Sequence, residues 1–197
     1  MSRAAIPLLV SAALLVGCQG FAPADPATVA ALRPMPLAAI VPGRCELELH
    51  SPGLSGTFDA VIARDGDAVR LQLFPDVGGK VLDLRVDASG IVVDFAGQPY
   101  EARAPLASAP PHLALALAAM VGELASPVAA ERVAGQRPRD GATEVQLQGG
   151  LVGLPVVARL GADGAITAYA WRVRGFAFGL TADGRFAGPG FDGWLRR

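Results

Sequence analysis

His112-Leu113-Ala114-Leu115-Ala116-Leu117-Ala118-Ala119-Met120-Val121-Gly122-Glu123-Leu124-Ala125 is the stretch that decides the fold. Its alanine run and its length favour a helix over a strand, and Pro110-Pro111 separates it from what precedes. A helix lying on an open sheet shows charge on its outer side, whereas here only His112 and Glu123 are polar enough to face water. A helix apolar nearly all round must be buried nearly all round, and the simplest place for it is the inside of a curved sheet.

The chain on the amino-terminal side of this helix supplies such a sheet. Cys45, Leu47 and Leu49 alternate with Glu46, Glu48 and His50, Val69, Leu71 and Leu73 with Arg70 and Gln72, and Leu82, Leu84 and Val86 with Asp83 and Arg85. Each such strand has one buried and one wet face, the pattern of an antiparallel sheet packed on one side. Phe58 to Ala63 adds a strand that ends before Asp65-Gly66. Ala88-Ser89-Gly90 turns the chain into Ile91 to Phe95, the fifth strand of an up-and-down meander. On the carboxyl side, strands are predicted at Glu144 to Gln148, Leu154 to Leu160, Ile166 to Arg174, Phe176 to Leu180 and near Trp194. Asp163-Gly164 and Asp183-Gly184 mark tight turns, and the polar segment Glu131 to Gly141 reads as a loop. The fold class is mainly β with α (α+β), and residues 43–197 are long enough for one domain with a substantial core.

At the amino terminus, the apolar run Ile6 to Val16 is too short for a transmembrane helix, which needs about 20 apolar residues. It ends in Leu15-Val16-Gly17-Cys18, which resembles a bacterial lipobox. Such a box makes residues 1–17 a signal peptide cut before Cys18, whose sulfur takes a diacylglyceryl group. Acyl chains contribute ~0.8 kcal/mol per buried CH₂, enough to hold a domain on a bilayer. Gln19 at the second mature position, in place of Asp, resembles outer-membrane sorting signals. Residues 18–42 read as a lipidated tether broken by prolines at 23, 26, 34, 36 and 42. Within it, Asp25-Pro26 forms a good helix start, and Ala27 to Leu32 either docks on the domain or belongs to a flexible spacer.

Composition excludes more than it names. Seventeen Lys and Arg against 18 Asp and Glu give a formal charge of −1, which implies no nucleic-acid partner. With Cys18 lipidated, Cys45 has no intramolecular partner and reads as a buried small hydrophobe. His50 and His112 lack metal-ligand spacing, so no metal or cofactor is expected. Gly53-Leu54-Ser55-Gly56 has the wrong glycine spacing for a serine elbow and reads as a turn. Asp59, Asp83 and Asp94 alternate with apolar residues as solvated sheet positions. No catalytic residue is identified, and the chain is not expected to be an enzyme.

Lipobox, proline-broken tether, five-strand meander, buried helix and second strand set follow the order of the outer-membrane lipoprotein receptor of the lipoprotein-localisation system and its superfamily. The chain resembles that family over residues 43–197. Leu73-Phe74-Pro75-Asp76-Val77-Gly78-Gly79 is similar to the receptor's protruding Pro-Leu-Gly loop, with Asp76 inserted and valine in place of leucine, and Asp192-Gly193-Trp194-Leu195 is similar to its carboxyl end. The resemblance implies an antiparallel, strongly curved unclosed β-barrel with the apolar helix in its concave face. It implies a lipid-anchored location at the outer membrane, facing the periplasm, and a role in lipoprotein transfer or insertion. Phe74, Pro75 and Val77 become the membrane-contacting loop. Leu47, Leu49, Val69, Leu71, Leu73, Leu82, Leu84, Val86, Leu113, Leu117 and Met120 become the lining of a pocket for an acyl chain or for the lipid of another lipoprotein. Such a lining has no polar group to fix a small polar substrate. Two alternatives stay open: helix and sheet fill each other as a packed core, or the chain is a structural or assembly lipoprotein that binds a protein partner.

Overall fold

The computed structural model describes residues 20–95, 98–102, 112–173 and 175–197. Among the described residues, thirteen strands form one antiparallel sheet: β1 (Gly43–His50), β2 (Gly56–Asp65), β3 (Ala68–Phe74), β4 (Leu82–Asp87), β5 (Gly90–Phe95), β6 (Gln98–Ala102), β7 (Val133–Arg139), β8 (Ala142–Leu147), β9 (Val156–Leu160), β10 (Ile166–Val173), β11 (Phe176–Thr181), β12 (Arg185–Gly188) and β13 (Phe191–Arg196). The spatial order is β6-β5-β4-β3-β2-β1-β13-β12-β11-β10-β9-β8-β7. Two meanders, β1–β6 and β7–β13, therefore share one sheet, joined where the first strand pairs with the last from Glu46↔Arg196 to His50↔Asp192. So many twisted strands curl instead of lying flat. The edge strands β6 and β7 are not paired with each other, so the barrel is unclosed.

A short helix, α1 (Pro26–Ala31), lies near the amino terminus, and a longer one, α2 (His112–Ala125), falls in the connection between the two edge strands. Every residue of α2 except His112 is buried, against β3, β4, β5 and β11. The fold is thus α+β, a curled unclosed barrel with an apolar helix packed against its sheet. Among the described residues, no helix is long and apolar enough to cross a membrane.

In the strand assignment and in α2, three features depart from the sequence reading. Glu131 to Gly141, expected as a loop, contains a 3-10 turn at Ala130–Arg132 and the edge strand β7. Only Gly135 of β7 is buried, so its residues carry no alternation, and Pro138 is tolerated because an edge strand has a side that needs no ladder donor. β6 and the four-residue β12 are additional strands, the latter too short to show a period. Glu123, expected to face water, is only 5% exposed, since a helix enclosed on all sides has no wet face to offer it.

Residues 20–42, read as a tether, are laid along the domain. Ala22 and Gln136 of β7 exchange backbone hydrogen bonds at 2.9 and 2.7 Å, and Asp25 caps α1 by accepting from the Ala27 amide at 3.0 Å. Beyond α1, Arg33 donates to the Gly164 carbonyl and accepts from the Ile166 amide, both at 3.0 Å. A Cβ at Gly164 would stand 2.2 Å from the Ala31 carbonyl oxygen, so a glycine is required for this approach. Met35, Leu37 and Val41 then enter the core, which begins ahead of β1. Cys18, the expected lipidation site, and residues 1–17, expected as a signal peptide, lie outside the described residues.

Candidate functional site

The eleven expected pocket residues, eight on the sheet and three on α2, belong to one buried apolar core. Register places Val69 opposite Val86, Leu71 opposite Leu84 and Leu73 opposite Leu82, and Leu47 opposite Leu195 across the junction of the two meanders. Because side chains alternate across a pleated strand, these pairs all point to the concave face. Leu49, Leu113, Leu117 and Met120 belong to the same core, and none of the eleven is more than 8% exposed. α2 covers the concave face at these positions.

An aromatic wall that the sequence reading did not single out completes this interior from β10 and β11. Trp171 and Phe178 stack with centroids 4.5 Å apart, Tyr169 tilts against Trp171 at 5.5 Å, and Phe176 stacks on the His112 ring at 4.6 Å. The alternation of Tyr169 with Trp171, and of Phe176 with Phe178, was the signal for it.

Open space begins at the carboxyl end of α2. A cleft of about 540 Å³ lies between the β2–β3 and β4–β5 turns on one side and Gly150–Gly153 on the other, with Ser126 and Arg132 between them. Of the eleven expected pocket residues, Val86 alone lines it. Arg64 donates from Nη1 to the Ala125 carbonyl at 2.7 Å, placing a cation where the helix dipole is negative. Arg132 donates from Nη2 to both carboxylate oxygens of Glu123 at 2.8 Å, and from Nε to the Gln148 carbonyl at 3.1 Å. Burial pushes the Glu123 carboxyl above its ordinary range despite the opposing pull of Arg132. A Cβ at Gly150 would fall 2.3 Å from Glu123 Oε1, so the loop can close over this ion pair only with glycine there. The sequence signal for the pair was a single carboxylate in an otherwise apolar helix, which demands a buried partner. Its partner on the turn before β7 had no signal of its own.

The expected membrane-contacting loop connects β3 to β4. Val77 is 89% exposed at its tip, while Phe74 and Pro75 at its base are half-buried. Just beyond it, Asp83 corrects the sequence reading. Placed there on a solvated face, it is 8% exposed, beneath Arg70, which donates from Nε at 2.7 Å, Gln72 at 3.0 Å, and Lys80. These long side chains fold over the β4 position and hide it. Asp94 is likewise half-buried, and its Oδ1 has no partner among the described residues, whereas Asp59 is exposed. Arg70, foremost among these donors, holds the Asp83 carboxyl well below the usual carboxylate range. Its contribution to stability is therefore full above about pH 4, the value for an unfolded aspartate, and lost as pH falls from there toward the folded-state value. Asp83→Asn is expected to cost about 1–2 kcal/mol at pH 7. Denaturant unfolding of both proteins from pH 7 to pH 2 checks this; the gap must narrow below about pH 4, and a gap independent of pH contradicts the assignment.

Three further side chains weighed in the sequence, Cys45, Ser55 and His50, have the following surroundings. Cys45 is buried, and burial pushes its thiol up to about 11. Ser55 Oγ accepts from the Ser51 amide at 2.9 Å and donates to the Ser51 carbonyl at 2.7 Å, closing the β1–β2 turn. His50 stands on the wet face, where its bond to Asp192 at 2.8 Å raises its affinity for a proton. Among the described residues no three His, Cys, Asp or Glu side chains gather as metal ligands. The chain matches no family model and no curated protein sequence.

Proposed function

We propose that the protein is a membrane-anchored lipoprotein that binds a fatty-acyl chain, carried by a lipid or by another lipoprotein, in the apolar interior of its unclosed barrel. Cys18 bears the anchor, the domain faces the periplasm from the outer membrane, and its work is non-enzymatic transfer or insertion of lipidated protein. The observation that carries this reading is the open cleft at the end of α2, which borders the core at Val86 and Ile91 and is faced by half-buried Leu151 and Val152. The lipobox-like Leu15-Val16-Gly17-Cys18 and the resemblance to the lipoprotein-receptor superfamily support it, as does an apolar tip at Val77 suited to touch acyl tails.

The test uses the chain carrying Cys18→Ala, purified without lipid, with an environment-sensitive acyl probe and with anionic liposomes. Saturable binding of one probe per chain is expected. Val77→Glu should change stability by no more than about 0.5 kcal/mol, because Val77 fills no core. It should weaken liposome binding, because it removes an apolar transfer term and adds repulsion from anionic headgroups. Absence of saturable probe binding would set the reading aside in favour of an anchored lipoprotein that meets a protein partner. Unchanged liposome binding would remove the loop from the membrane contact.

A further inference from the structure

We propose that the outward face of the second meander, over strands β7 to β12, is a docking surface for an anionic phospholipid bilayer, and that the domain lies on the membrane of its anchor through this face. The proposal rests on the anchored reading above and adds to it which side of the barrel meets the lipid.

The first observation is where the anchor leaves the domain. Cys18 is four residues ahead of Ala22, whose backbone is bonded to Gln136 of β7. Four residues span at most about 14 Å, so a lipid on Cys18 enters the bilayer beside β7. A free spacer of residues 18–42 would instead range over about 25–30 Å. The entering chain is also held on one side of that strand, because the Arg137 guanidinium lies 4.4 Å from the centre of the Phe21 ring. Arg137 stands in register with Glu144 and Arg159, positions that alternate with buried Val145, Ala158 and Leu160, and so faces outward.

The second observation is charge. Strands β7 to β12 carry five arginines and a single carboxylate, Glu144, whereas strands β1 to β6 carry four arginines and eight carboxylates. Glu144 is paired with Arg137 at 2.7 Å, and the other acidic residues beyond Val133, Asp140, Asp163, Asp183 and Asp192, lie in turns or on β13. Arg159, Arg172 and Arg185 are exposed, and short side chains between them, such as Ala170 and Ala177, keep the surface low enough for a plane of headgroups to reach the guanidiniums. Cations held this close to anionic lipid act within a Debye length, about 10 Å, and are attracted to it. The acidic first meander gives its Val77 tip no electrostatic attraction of this kind.

The experiment mixes the Cys18→Ala chain with vesicles of phosphatidylcholine, with and without phosphatidylglycerol. Binding is expected to the mixed vesicles, and high salt should abolish it. Arg159→Glu and Arg172→Glu should each weaken it about tenfold, since each removes one attraction and adds one repulsion. Arg44→Glu, the same change at an exposed position of β1, should weaken it less than about twofold. All three positions are exposed, so thermal midpoints should not move. A polarity-sensitive dye on Ala170→Cys should be quenched by lipid carrying a headgroup nitroxide, and the same dye on Thr57→Cys, exposed on β2, should not. Cys45 stays unlabelled, being buried with its thiol pushed up to about 11. Quenching at Thr57 in place of Ala170, or wild-type binding by both arginine variants, overturns the face and leaves the Val77 tip as the contact. Failure to bind the mixed vesicles overturns face and tip together. A concentration-dependent dimer in sedimentation, abolished by the same two variants, would assign the face to a second copy and overturn the proposal. The anchored reading fails separately, if the unaltered chain extracted from membranes lacks the mass of a diacylglyceryl group on Cys18, because the vesicle experiment reads the face without that lipid.

Discussion

Leu117→Asp is expected to abolish folding. Leu117 is 1% exposed, midway along a helix buried on every side, and the leucines of β3 and β4 belong to the same core. Among the described residues the buried charged side chains are Asp83 and Glu123, neither a cation that could pair with a carboxylate placed there. The substitution therefore loses the leucine's packing, about 2–5 kcal/mol by the usual cost of core truncation, and also buries an ionisable group. Together these approach the whole stability of an ordinary domain, about 5–15 kcal/mol. Circular dichroism and thermal unfolding check it, with Leu117→Met as the volume-conserving control, expected to cost less than about 1.5 kcal/mol. A Leu117→Asp protein that melts like the wild type would move α2 to the surface and end the filled-barrel description.

Arg132→Ala is the second large effect. It leaves Glu123, 5% exposed, as an uncompensated charge beneath the β8–β9 loop, and removes the donor to the Gln148 and Gly149 carbonyls. Breaking a buried pair from one side costs about 3–5 kcal/mol. Adding Glu123→Gln should recover much of it, since the charge is then gone from both sides. The pH dependence follows from the raised carboxyl of Glu123. A carboxyl with a folded-state value above its unfolded one, about 4.3, favours the folded state below that pH and opposes it as pH rises through the folded-state value. Without Arg132 the rise is larger, so the variant's deficit should be smallest near pH 4 and widest at neutral pH. Chemical denaturation across that range decides it; a deficit that shrinks as pH rises would contradict the buried-carboxylate account.

Much of the architecture was legible along the chain because it depends on near neighbours. Alternation of Leu71, Leu73, Leu82 and Leu84 with polar residues defines strands, and Asp65-Gly66 and Asp163-Gly164 define turns within a few positions. The apolar circumference of His112–Ala125 required an enclosing sheet before any contact was known. Even the α1 start was readable, since Asp25 bonds to an amide only two residues on. Where a residue's environment is made by distant segments, periodicity carried no information. β7 is a strand because β8 lies on one side and Ala22 bridges the other, across more than a hundred residues of sequence. Asp83 looked solvated because alternation assigns only a face, and cannot register that Arg70, Gln72 and Lys80 fold across it.

The candidate site divides in the same way. The buried apolar face that borders it was legible as a set, because inward-facing positions follow from strand period, although Val86 alone of that set lines the open cleft. Its open end was not. The pairing of β1 with β13 joins the first strand to the last, β6 and β7 are left as unpaired edges, and Arg64, Arg132 and the β8–β9 loop converge on the last turn of α2. The sequence by itself determined the strands, the turns and the need to bury one helix, because local backbone preference and side-chain periodicity are properties of adjacent residues. Only the tertiary structure decided which charges are buried and where the barrel stays open. Desolvation and ion pairing act through space, between groups that the chain order holds far apart.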